Sequence, residues 1–295
     1  MRKGLCVINT FNKSEGYLYQ GNRLKEAFKN LNVELDIVTT EDLYLHIENN
    51  GNIKLNFNLK EYDFAIFNDK DTVLSRMLEK KGLRVFNNSI AIETCDNKFL
   101  THVCLSENNI MMPKTYPSFL CYSKNNYANP NYFLKISKEI GFPLIFKINY
   151  GSLGANVFLV NNIDELLELA NKYKYQSFLI QEYIEKSKGQ DIRVIVIGHK
   201  VVASMLRKNE NDFRSNIGLG GKGYKIDLPQ KASEIAVKVS KILNLDYCGV
   251  DILFDENNYY LCEVNSNAFF QEIEKVTSIN VADYYARYIY DIIYK

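Results

Sequence analysis

The hydrophobic pattern opens as an α/β chain. Leu5 to Asn9 is an apolar run of strand length, Arg23 to Leu31 carries Leu24, Ala27, Phe28 and Leu31 at helix-face spacing, and Val33 to Val38 alternates with period two. Asn49-Asn50-Gly51-Asn52 predicts a turn between two short strands, and Phe64 to Phe67 a strand ending in polar Asn68, Asp69, Lys70 and Asp71. Polar residues at a strand's carboxyl end are where open α/β sheets bind ligands, and they also cap following helices. A helix over 72–81, a strand over 83–86 and a connector helix opened by Asn87-Asn88-Ser89 complete the first unit. Thr10 to Tyr17 holds a single glycine, so no dinucleotide fingerprint follows the first strand.

The pattern then changes. Lys98 starts a helix, Pro113 and Pro117 bracket an extended link, 132–140 reads as a helix and 143–148 as a strand carrying Lys147. The loop from Asn149 to Asn156, with Gly151 and Gly154, leads to a strand over 157–160. Such a loop can lay backbone N–H groups over phosphates, although two glycines in a turn also make an ordinary hairpin. After a strand at Phe178 to Ile180, two further strands span Asp191 to Ile197 and Val201 to Arg207 around Gly198-His199-Lys200. A three-residue loop there sets Asp191 opposite Arg207, with Arg193 on the same face as Asp191. The expected units are 1–93, 94–183 and 184–295.

The clearest geometry comes late in the chain. Tyr247 to Phe254 and Tyr259 to Asn265 flank the turn Asp255-Glu256-Asn257-Asn258, so Asp251 is expected to pair with Glu263, with Asn265 on the same face. Cys248, Val250, Ile252, Phe254, Tyr260, Cys262 and Val264 are expected to point the other way. Carboxylates this close repel unless a cation lies between them or one takes a proton. Two carboxylates and an amide oxygen form the hard-ligand set that Mg²⁺, or Mn²⁺, accepts while keeping water and phosphate.

Composition narrows the partners. The chain has 295 residues, more than a usual single core, and a formal net charge of +1, which suggests neither a nucleic-acid groove nor an anionic membrane surface. Six cysteines lack CxxC spacing, which disfavours a disulfide scaffold or zinc site. The apolar segment after the first residues is too short for a signal-peptide core or a membrane span, so a cytoplasmic protein is expected, with homo-oligomerisation left open.

Five segments in order now carry a resemblance: Pro143 to Val160 (PLIFKINYGSLGANVFLV), Gln181 to Ile184 (QEYI), Gly189 to Arg193 (GQDIR), Asp212 to Gly221 (DFRSNIGLGG) and Val250 to Ser266 (VDILFDENNYYLCEVNS). The chain resembles the ATP-grasp carboxylate–amine ligases, in particular the RimK-type branch of ribosomal-protein glutamate ligases and lysine-biosynthesis ligases. The resemblance implies three α/β units, a parallel-sheet domain preceding two ATP-grasp units, with ATP between the later two and the first contributing to the acceptor site. It implies that Lys98 and Lys147 reach the phosphates, that Gly151, Ser152 and Gly154 form the covering loop, and that Gln181, Glu182, Tyr183 and Ile184 hold adenine with Asp191 on the ribose. Arg207, Arg214, Ser215 and Asn216 are implied on the phosphate side, and Asp251, Glu263 and Asn265 as metal ligands, with Lys147 and Arg214 catalytic.

The implied reaction makes an amide from an amino acid, peptide or protein carboxylate and an amine, through an acyl phosphate, releasing ADP and phosphate. It needs no nucleophilic side chain, in keeping with three scattered histidines. Departures from the family pattern fall near the acceptor end: Gly218 replaces a usual histidine, Asn267 to Phe270 replaces a Ser-Pro-Gly turn, and Asn68 to Asp71 stands where an arginine-containing loop is common. ATP use therefore rests on more residues than the choice of glutamate as the added amino acid. The alternatives are a small-molecule kinase on the same fold, which would need a more basic pocket, and a non-catalytic ATP-binding partner, which would lack the metal ligands.

Overall fold

Four parallel strands form the first layer, and the chain reaches them through β1 (Lys3–Ile8), α1 (Glu15–Lys29), β2 (Glu34–Thr39), the short ladder of β3 (His46–Ile47) with β4 (Ile53–Lys54), β5 (Phe64–Asn68), α2 (Thr72–Lys80) and β6 (Arg84–Phe86). The computed structural model describes residues 2–11, 15–122, 124 and 130–295. Within the glycine-poor stretch Thr10 to Tyr17, residues 12–14 therefore lie outside the described residues. The strand order is β2-β1-β5-β6, with every pairing parallel. Its switch point lies at the carboxyl ends of β1 and β5, and the polar tip there caps α2: the Asp71 carboxylate accepts from the amides of Val73 and Leu74.

The helices α3 (Ser89–Asp96) and α4 (Lys98–Leu105) start on asparagine caps, since the Asn88 side chain accepts from Ala91 N and that of Asn97 from Leu100 N. The second sheet follows with β7 (Thr115–Pro117), α5 (Pro130–Ile140), β8 (Leu144–Ile148), β9 (Val157–Val160), α6 (Ile163–Lys172) and β10 (Phe178–Glu182). Its order is β7-β10-β8-β9, all antiparallel. Five more antiparallel strands make the third sheet: β11 (Gln190–Ile197), β12 (Lys200–Lys208), β13 (Lys222–Lys225), β14 (Tyr247–Phe254) and β15 (Tyr259–Asn265), in order β13-β12-β11-β14-β15. Helices α7 (Gln230–Ile242), α8 (Gln271–Thr277) and α9 (Val281–Tyr294) complete the chain. Among the described residues no helix is long and apolar enough to cross a membrane.

Two β-bulges set the registers on which the site depends. The β11–β12 connection is two residues, Gly198-His199, rather than the expected three; a bulge at Ile195/Val196 absorbs the difference, so Asp191 still faces Arg207. In the β14–β15 hairpin, Phe254 pairs with Tyr259 and Ile252 with Leu261, a register that would put Cys262 opposite Asp251. A bulge between Asp251 and Ile252 shifts it by one, and Asp251 pairs with Glu263.

Packing divides the molecule unevenly. One face of the first sheet and one face of the third share a single core that runs from Phe28 and Phe64 to Ile195, Tyr247, Phe270 and Tyr285. The opposite face of the third sheet packs against α7 and against Ala91, Cys95 and Leu105 of α3 and α4. The second sheet has a core of its own, built on Phe133, Phe146 and Phe178 beneath α5 and α6.

A buried asparagine fastens the first layer to the third. Asn87 Nδ2 donates to the carbonyls of Tyr247 at 2.8 Å and Ser266 at 2.7 Å, and its Oδ1 accepts from the amides of Asp246 at 2.7 Å and Tyr247 at 3.1 Å. Beside it, Arg84 Nη2 meets both Asp246 oxygens at 2.9 and 2.8 Å. Replacing Asn87 by alanine strands buried groups on both layers and is expected to cost about 3 kcal/mol of stability. Chemical denaturation checks this; a loss below about 1 kcal/mol would show that the fastening matters little.

Candidate active site

The polar face of the third sheet carries buried charges of alternating sign. Asp191 and Arg193 stand on β11, Arg207 on β12 and Asp251 on β14, and none exceeds 8% exposure. Arg207 Nε and Nη2 donate to the two Asp191 oxygens at 2.7 and 2.5 Å, and Nη2 also lies 2.9 Å from Asp251 Oδ2. Arg193 grips Asp251 bidentately, Nε on Oδ1 and Nη2 on Oδ2 at 2.7 Å. Burial works against ionisation of Asp251, but Arg193 and then Arg207 outweigh it and hold the carboxyl below the usual range. Burial likewise opposes the Arg207 charge, and Asp191 and Asp251 restore it.

These contacts correct one step of the charge argument. The cations that neutralise Asp251 are arginines, and Glu263 is met by Lys98 Nζ at 3.6 Å, so repulsion between the carboxylates does not itself demand a metal. The Cys262 side chain also turns inward rather than away. As the extra residue of the bulge it lines the cleft, 3.7 Å from Lys147 Nζ, and burial raises its thiol pKa to about 11.

Facing this floor is the underside of the second sheet. Lys147 on β8 is buried, and its ammonium rests on Gln181 Oε1 at 2.7 Å without forming an ion pair among the described residues. A buried ammonium on a neutral amide is short of countercharge, and a phosphate oxygen would supply it. Lys98, the first residue of α4, sends Nζ to Gly151 O at 2.8 Å. At the other end of that loop, Arg214 Nη1 donates to Gly154 O at 2.6 Å while Asp212 takes Nε and Nη2 at 2.9 and 2.7 Å. Gly154 has φ +75°, and a Cβ there would sit 2.9 Å from Asn216 Oδ1, so only glycine lets the loop lie this close.

The two sheets enclose a cleft of about 730 Å³, counting its open mouth. Of the residues singled out from the sequence, Lys147, Gly154, Gln181, Glu182, Tyr183, Ile184, Asp191, Arg207, Arg214, Ser215, Asn216, Asp251 and Glu263 line it. Ile145 and Leu253 supply apolar walls. Gly151 and Ser152 lie in the loop beyond its lining, and Lys98 reaches in through Gly151 and Glu263. Asn265 stands behind Asp251, with Nδ2 3.5 Å from Oδ2. Asp191 commits both oxygens to Arg207, so the pair is built into the floor.

The donor set admits a divalent ion. Among the described residues no three His, Cys, Asp or Glu side chains group as a metal site, so the candidate is two carboxylates with an amide. Among the described residues, Asp251 Oδ1 is met by Arg193 alone and so keeps a second lone pair, whereas Oδ2 is already met by Arg193, Arg207 and Asn265; Glu263 is met by Lys98 alone, and its side chain is 27% exposed and lines the cleft. This suits Mg²⁺, which keeps several of its sites for water and phosphate.

A family model described as the RimK-like ATP-grasp domain matches residues 95–289. The chain belongs to the RimK-like ATP-grasp family. Human beta-citrylglutamate synthase B is 34% identical over 226 residues, covering 75% of this chain and 56% of the relative. A probable alpha-L-glutamate ligase of Vibrio vulnificus is 32% identical over 279 residues, covering 90% of this chain and 89% of its own. In fold, a D-alanine–D-alanine ligase of Bacillus anthracis, solved with ATP, superposes with a TM-score of 0.72 at 18% identity, covering 99% of this chain and 96% of that one. These two relatives and this fold neighbour are named ligases or synthases, and the chain is an ATP-dependent ligase of this kind.

Behind the cleft, Gln181 leads to two residues absent from the sequence-derived site, Thr115 and His102. Gln181 Nε2 donates to Thr115 Oγ1 at 2.8 Å, and Thr115 Oγ1 lies 3.5 Å from His102 Nδ1. Nothing in the spacing of these residues links them, because they meet only through the sheet order. Arg193 was visible on the right face but not as the partner of Asp251, since β14 joins β11 across about fifty residues of chain. Burial and then the Lys147 charge lower the His102 pKa from 6.5 to about 4, while a hydrogen bond with the Cys262 backbone works the other way. The unfolded chain therefore binds a proton near pH 6.5 that the native state refuses until about 4, so this contribution is full above pH 6.5 and declines as pH falls to 4. The wild type is expected to lose on the order of 3 kcal/mol over that window through this group, and His102→Gln to be spared the loss. Denaturant midpoints at stepped pH test it, and parallel profiles for the two proteins would contradict it.

Proposed function

We propose that the protein joins a carboxylate to an amine at the expense of ATP, through an acyl phosphate, with an amino acid, peptide or protein as substrate. The observation that carries this reading is the opposition, across one cleft, of the unpaired Lys147 ammonium and the Asp251 and Glu263 carboxylates. Adenine is assigned to the apolar end at Glu182 to Ile184, and the triphosphate to Lys147, Lys98 and Arg214. Asp251, Glu263 and Asn265 would hold Mg²⁺, which supplies charge neutralisation at the phosphates.

The steps follow from these positions. A carboxylate oxygen of the substrate forms a bond to the γ-phosphorus, the β–γ bridging P–O bond breaks, and ADP leaves with the electron pair. Lys147 and Arg214 face the oxygens on which charge grows, and because they are already fixed by Gln181 and Asp212 they need little reorganisation. An amine then attacks the acyl carbon, phosphate departs, and the nitrogen loses a proton. The loop at Gly151 to Gly154, tied down by Lys98 and Arg214, keeps water from the acyl phosphate. The names of the relatives favour glutamate as the first amine to try, whereas Gly218 and Asn267 to Phe270 set this chain's acceptor end apart.

Glu263→Gln is the informative variant because its side chain is partly exposed and leaves the buried charges intact. It is expected to lower ADP release by at least about 100-fold with an unchanged fold by circular dichroism. Chelation should silence the wild type, and Mg²⁺ or Mn²⁺ should restore it. Full activity of Glu263→Gln, or of the chelated enzyme, would remove the metal assignment. A screen of amino acids and peptides for ADP release, with mass spectrometry of the product, identifies the substrates; a phosphorylated alcohol without an amide would replace the ligase reading by that of a kinase.

A further inference from the structure

A second, smaller cavity lies outside the ATP cleft, between the first layer and the turn that follows Asn265. Three amide side chains from separate elements line it: Gln20 on α1, Asn68 at the carboxyl end of β5, and Asn267 in the turn. Each has a buried polar atom that bonds to no protein group, namely Gln20 Oε1, Asn68 Nδ2 and Asn267 Nδ2. Gln20 and Asn68 are only 3% and 4% exposed. The remaining wall is largely apolar, with Leu24, Ile66, Phe86 and Phe270. The space open to the centre of a water molecule is about 10 Å³, which suits one water and nothing larger.

One orphan acceptor and two orphan donors around such a space specify their guest. An ion is disfavoured because no charged side chain lines the cavity. We propose that the cavity is a binding site for a single water molecule, which donates to Gln20 Oε1 and accepts from Asn68 Nδ2 and Asn267 Nδ2. A water can make all three bonds at once and satisfies every orphan group there.

The site has a consequence for the reaction, which rests on the placement of Mg²⁺ given above. The turn after Asn265 is already held by Asn87 Nδ2 on Ser266 O at 2.7 Å, and by Gln20 Nε2 and Tyr247 Oη on Ala268 O at 3.0 and 2.7 Å. The water adds a bond at Asn267, between those anchors, and ties the turn to β5. Asn68 is thus a positioning residue for Asn265, acting through the water rather than touching a substrate.

A crystal structure fine enough to place solvent tests the site, with Asn68→Leu as the shape-matched variant and the partly exposed Asn267→Ala as a second should the first not fold. The wild type is expected to show one ordered water within hydrogen-bond distance of the three atoms, and either variant to lose it. A dry wild-type cavity, or amides bonded directly to one another, overturns the proposal. At saturating ATP, the variants are expected to need roughly 10-fold more free Mg²⁺ for half-maximal ADP release, as for other groups that orient a metal ligand. A water without that shift overturns the positioning role. Unaltered Mg²⁺ dependence in Glu263→Gln would instead undo the metal placement, leaving the crystallographic result to judge the water site separately.

Discussion

The alternation of Asp191, Arg207, Asp251 and Arg193 across three adjacent strands is the interaction on which the site depends. Buried charges are costly to desolvate, and removing one member of such a set leaves its neighbour uncompensated. Here each carboxylate has at least one bidentate arginine, and Asp251 has contacts with two. The set therefore stays ionised, and a carboxylate is always present where a divalent ion would need one. It is also stiff, because every member sits on a strand whose opposite face is packed into an apolar core.

That stiffness is shared unequally. The floor of the cleft belongs to a body in which the first and third sheets contribute to one core and are fastened by Asn87 and Arg84. The roof, with Lys147 and the glycine loop, has its own aromatic core and meets the floor chiefly through side chains such as Lys98 and Arg214. A unit with an independent core and a polar junction can shift as a whole. The arrangement thus separates the groups that must hold a fixed geometry from those that must let a nucleotide in.

The sequence showed much of this because strand alternation is a local rule. The opposition of Asp191 to Arg207 and of Asp251 to Glu263 is legible to within a residue, because hairpin partners are near in the chain, while the final register of each depends on a bulge. Period two does not reveal the bulges, and so it places Cys262 on the face away from the cleft that this residue in fact lines. It also could not reveal contacts made across distant strands. Arg193 reaches Asp251 only because β14 lies beside β11, and His102 stands behind Gln181 only because α4 packs against β10. The helices from Ile163 onward do not aim any residue into the cleft, and the turn at Asn267 hides its orphan amide until α1 and β5 are brought against it.

The bulge beside Asp251 has a further meaning for how the hairpin can change. It lies between the tip at Asp255 to Asn258 and the acidic pair, so alignment of the pair is set by the extra residue and by the neighbouring strand β11. The tip is thereby insulated from the chemistry: lengthening it or grafting a tag onto it leaves the carboxylates facing each other. Deleting the single residue Cys262 would remove the bulge, leave Glu263 opposite Asp251 in an unbroken ladder, and take from the cleft the thiol that the extra residue carries.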